Sequence, residues 1–143
     1  MKMIAKVTAM LSGALLAAAC SSVAPVKIEV GDQCTRCRRI ITDDRLAAEI
    51  LDGNLAMKFK TPGCLAKYLV DHPIGTGIVF VTDYPTRKLV APSRALFVPV
   101  IIDTRTYESD YRAYLPARDA RGAVIAVNET AIGWNDLLRK AKG

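Results

Sequence analysis

Leu46-Ala47-Ala48-Glu49-Ile50-Leu51-Asp52-Gly53-Asn54-Leu55-Ala56-Met57-Lys58-Phe59 is the stretch that decides the fold. Two apolar-rich runs, 46–51 and 55–59, flank Asp52-Gly53-Asn54. Asp-Gly between two such runs is the strongest short hairpin signal, because the left-handed backbone of a tight turn costs glycine little. Thr61-Pro62 then offers a helix N-cap with proline at the first helical position. Leu65, Tyr68 and Leu69 recur at helical spacing until Pro73 stops the helix. The stretch reads as strand, strand, helix.

Working outward, Val26 to Val30 alternates as a short strand that Gly31-Asp32 breaks, and Cys34-Thr35-Arg36-Cys37 follows in a turn-like setting. Downstream, Ile78 to Val81 is a β-branched strand and Asp83 to Thr86 a turn. Leu96 to Ile102 is a longer apolar run whose Pro99 argues for an edge or a bulge. Tyr111 to Leu115 and Gly122 to Val127 form another strand pair. A last amphipathic helix runs from about Glu129 to Lys140, with Ile132, Leu137 and Leu138 on its apolar side and Trp134 packing it onto the sheet. Strand, strand, helix thus occurs twice, which predicts one small α+β domain of antiparallel strands over 26–143.

The first 19 residues read differently. Lys2 and Lys6 precede an uncharged apolar run, Val7 to Ala19, too short for a permanent membrane helix of about 20 residues. This is the pattern of a secretory signal peptide. The run Leu16-Ala17-Ala18-Ala19-Cys20 resembles a bacterial lipobox, in which the cysteine thiol is lipidated and becomes residue one. Ala17, where that box most often has leucine, also suits ordinary signal peptidase. The cysteine itself and the polar tether over 20–25 favour lipidation. The reading is therefore a signal peptide (1–19), a lipidated tether (20–25) on the membrane through Cys20, and a domain facing the periplasm. Ser21 after the cysteine points to the outer membrane in a Gram-negative host.

Removing Lys2 and Lys6 from the +6 of the whole chain leaves +4 for the mature part, with both signs mixed along it. With one Trp and three Phe, there is neither the basic stripe nor the stacking platform of a nucleic-acid binder. The chain holds one histidine and no Ser/His/Asp pattern, Gly-rich phosphate loop or paired carboxylates with a plausible base, so no catalysis of its own is expected.

With Cys20 assigned to processing, Cys34, Cys37 and Cys64 remain. Two residues between cysteines let both sulfurs turn to one point, where they can share a soft metal ion or close a small disulfide ring. A four-thiolate zinc site lacks its second Cys-x-x-Cys, and covalent haem lacks a histidine after Cys37. Cu(I) needs only two thiolates, with a third sulfur from Cys64 or Met57. A redox Cys-x-x-Cys protein and a structural Cys34–Cys37 disulfide stay open. His72 reads first as a helix C-cap and only then as a ligand. Arg36, Arg38 and Arg39 are candidates for stabilising a thiolate, and the helix N-terminus is expected to favour the ionised form of Cys64.

Several of these features together resemble the NosL family, the copper-binding lipoproteins that accompany nitrous-oxide reductase. They are the lipobox-like end, Cys34-x-x-Cys37 soon after it, the hairpin from Ala48 to Phe59, and the Cys64–Leu69 helix. Val81-Thr82-Asp83-Tyr84, Lys88-Leu89-Val90 and Ala95 continue the likeness. The resemblance implies a Cu(I) carrier or chaperone with a copper-acceptor protein as partner. The family follows Cys-x-x-Cys with Gly-Met where this chain has Arg38-Arg39, so a usual sulfur ligand has no counterpart and Cys64 is the candidate substitute.

Overall fold

A computed structural model describes residues 23–118, 121 and 130–143. The expected signal segment, Cys20 and the strand expected over 122–127 lie outside these residues. No helix among the described residues is long and apolar enough to cross a membrane.

The hairpin forms as the sequence indicates: β1 (Ala48–Asp52) pairs antiparallel with β2 (Leu55–Phe59), and Gly53 takes the turn at φ 57°. Leu46 belongs to a 3-10 turn, Asp44–Leu46, capped by the Asp43 side chain. The helix α1 (Pro62–Asp71) starts at Pro62 with Thr61 as N-cap. β3 (Ile78–Thr82) joins the other edge of β1, and β4 (Leu89–Val90) joins β3, giving the order β2-β1-β3-β4. A second antiparallel pair is β5 (Leu96–Asp103) with β6 (Glu108–Tyr114), and α2 (Trp134–Ala141) ends the chain. The result is a small single α+β domain with two strand-strand-helix units.

Two expectations are corrected. Val26 to Val30 is not a strand, because its amides go to side chains: Val26 N–H donates to Glu49 Oε1 and Glu29 N–H to Asp32 Oδ2. This segment covers the face of the sheet that carries buried Glu49, and Ile28 packs with Ile41 and Ala47. β6 pairs with β5 through a four-residue turn, so the 96–102 run supplies a strand of the second unit, and the expected pairing of 111–115 with 122–127 falls outside the described residues. The last helix begins at Trp134, since Ile132 is held earlier by an antiparallel bridge to Phe97. Trp134 does pack the helix onto β5, its ring 5.6 Å from that of Phe97. Pro99 keeps regular register opposite Tyr111 in β5, and the bulge falls further on, between Ile101 and Asp103.

The register puts Ala48, Ile50, Met57, Phe59 and Val81 on one face of the larger sheet. That face meets α1 and builds the main core with Leu65, Ala66, Phe97 and Leu137. Buried Asp83 joins the two sheets by accepting Leu115 N–H at 2.8 Å, while Tyr84 N–H donates to Ala113. The larger sheet and α1 hold the cysteines between them.

Candidate metal centre

Cys34 and Cys37 lie on a tight knuckle closed by a bridge between Gln33 and Ile40. Cys34 N–H donates to the Arg39 carbonyl and Arg38 N–H to the Cys34 carbonyl, both near 3 Å. To close it, Arg38 takes φ 63°, a left-handed conformation that favours glycine. Thr35 N–H anchors the knuckle to β2 through the Lys58 carbonyl at 2.7 Å. Cys64, in the first turn of α1, is brought opposite.

The helix start is held doubly. Thr61 Oγ1 accepts Cys64 N–H at 3.1 Å and donates to Asp110 Oδ2 at 2.7 Å, while Asp110 Oδ1 accepts Gly63 N–H at 2.8 Å. Asp110 comes from β6, so the second sheet positions the helix that carries Cys64. Burial raises the Asp110 pKa against these donors.

All three sulfurs lie within 4.8 Å of one another, and the cysteines are free. A trigonal set at bonds of about 2.3 Å needs separations of about 4 Å, which falls within that limit. Cys34 is fully buried, Cys64 is 9% exposed and Cys37 is half-buried, so the centre is approached from the Cys37 side.

The electrostatics are asymmetric. The Cys34 pKa falls from the usual 9.0 to about 4, first because Cys64 donates its S–H, then because the Cys37 and Lys60 amides donate to the sulfur. The Cys64 thiol moves up, through that same S–H bond and its burial. These directions favour ionisation at Cys34, with Cys64 as its S–H donor, over ionisation of Cys64 at the helix N-terminus. The arginines do not set the Cys34 thiolate. Arg39 forms a two-pronged ion pair with Glu108 and holds the Cys37 sulfur, both of which keep the guanidinium charged.

His72 is not part of the three-sulfur group. It caps α1, its ring stacked on Tyr68 at 4.4 Å and Nδ1 3.2 Å from the Tyr68 carbonyl. Met57 lies on the core face of β2, where its sulfur accepts the Tyr68 hydroxyl at 3.5 Å. The Lys60 amide, Asp110 and Glu108 had no signal in spacing or composition, since each reaches the centre only through the tertiary fold.

Fold and site together define a small α+β domain carrying a three-cysteine centre of a size that can hold one metal ion. No protein-family model, curated protein or solved structure matches the chain.

Proposed function

We propose that this protein is a lipid-anchored carrier of Cu(I), held by Cys34, Cys37 and Cys64 and passed to a copper-acceptor protein in the periplasm. The observation that carries the reading is the convergence of three sulfurs around a Cys34 already favoured as thiolate. Soft thiolates select Cu(I), and a ligand that needs no deprotonation keeps its affinity at neutral pH. Half-buried Cys37 gives an acceptor thiol a point of entry, as transfer requires. The NosL-like resemblance agrees with this reading and rests on the sequence alone.

The test is competition under reducing conditions between the purified protein and a Cu(I) chelator of known strength. About one Cu(I) per chain is expected, from the single soft-ligand set. Copper left wholly on a weak chelator, with oxidant turned over by the cysteines, would replace the carrier with the thiol–disulfide reading. In that alternative half-buried Cys37, rather than buried Cys34, is the thiolate that can reach a partner disulfide.

Anchoring has its own check. Wild-type protein is expected in the membrane fraction, and Cys20→Ala is expected to be soluble or unprocessed, since stable attachment takes more than one acyl chain. A soluble wild-type protein with an unmodified mature N-terminus would refute the anchor and leave the copper site standing.

A further inference from the structure

Away from the sulfurs, a pocket of about 150 Å³ opens between the two sheets, lined by Asp43, Arg45, Lys60, Tyr84 and Arg112 among others. That is far more space than the ~10–15 Å³ that admits one water. Its charge is unbalanced: three cations face one carboxylate. Asp43 already takes the Nε and Nη2 protons of Arg45, each at 2.8 Å. Neither Lys60 nor Arg112 has an ion pair among the described residues. Arg112 Nε is buried without a hydrogen-bond partner, an unfavourable state for a charged donor.

The guanidinium groups are nevertheless well placed. The Cζ of Arg45 lies 4.7 Å from the Tyr84 ring centroid and that of Arg112 lies 4.4 Å from it. Stacking on one ring holds two planar donor forks in place before any ligand arrives, so little freedom is lost on binding. Like charges brought together around a cavity, with a buried donor unmet, are stabilised by an anion between them.

We propose that this pocket binds a small oxyanion, a phosphate or a carboxylate, through Arg112, Lys60 and the free edge of Arg45. The proposal does not depend on copper binding, since no sulfur takes part.

The purified, reduced protein would be titrated with inorganic phosphate and, separately, with acetate at constant ionic strength, following the arginine Nε–H signals by NMR. A saturable shift at Arg45 and Arg112 is expected. Arg112→Met, which keeps the stem on Tyr84, should weaken binding at least about tenfold, the loss of a charge-assisted fork. Lys60→Met should weaken it less, and keeps the test decisive if Arg112→Met does not fold. Saturation by acetate alone would establish the site as one for carboxylates. Shifts with neither anion, or a folded Arg112→Met with wild-type affinity, would overturn the proposal.

Discussion

Replacing Cys34 by serine is expected to lower Cu(I) affinity at pH 7 by about a thousandfold, roughly 4 kcal/mol. Cys34 is the central sulfur: it accepts the Cys64 S–H and two backbone amides, and it is fully buried. Its loss removes the thiolate already formed and leaves those donors facing a hydroxyl. Cys37→Ser should cost less, about a hundredfold, because Cys34 and Cys64 still make a two-thiolate site. His72→Ala should leave affinity within about twofold, since its ring is occupied by Tyr68. Chelator competition on the three variants checks the order. Equal losses from Cys34→Ser and His72→Ala would remove the proposed site.

The same thiolate governs how the metal-free protein responds to pH. The folded Cys34 pKa, about 4, lies below the ordinary 9.0, so its contribution to stability is full above pH 9. It declines as pH falls and vanishes once the folded thiolate is protonated near pH 4. Cys64 runs the opposite way: protonated in both states below the ordinary thiol value, it adds nothing there, and its raised pKa opposes folding above that value. Between pH 5 and 8 the Cys34 effect rules. Denaturant titrations should therefore show the stability advantage of wild type over Cys34→Ser growing with pH across that range.

Gly63→Ala is expected to destabilise the domain by about 3 kcal/mol, combining overpacking with a weakened charged hydrogen bond. A Cβ at Gly63 would lie 2.5 Å and 2.7 Å from the two Asp110 oxygens. That carboxylate cannot swing away freely, because Thr61, Gly63 and Tyr111 all donate to it. Relief must come from moving the start of α1, and Cys64 moves with it. Thermal unfolding should shift down by roughly 10–15 °C, by the entropy of unfolding of a domain this size. Copper affinity should fall too, although no sulfur is touched. An alanine variant as stable as wild type would mean that Asp110 does not clamp the helix.

Local chemistry by itself determined the hairpin and the first helix. Asp52-Gly53 supplies the turn and Thr61-Pro62 the helix start, and both signals act within a few residues. The same locality made Cys34 and Cys37 recognisable as a pair and His72 as a cap. It misled at Val26 to Val30, where alternation meets side-chain acceptors instead of a strand edge, and at the last helix, where the Phe97–Ile132 bridge delays the start. Only the tertiary structure decided that Cys64 joins the pair, because 27 positions of chain separate it from Cys37 and the fold of α1 over the sheet closes that distance. It also decided which sulfur carries the charge. Sequence pointed to arginines and a helix end, but the ionisation of Cys34 depends on donors from Cys64 and Lys60, whose alignment is a property of packing. Spacing along the chain specifies what two neighbours can share; burial and the direction of hydrogen bonds specify which of three distant thiols keeps its proton.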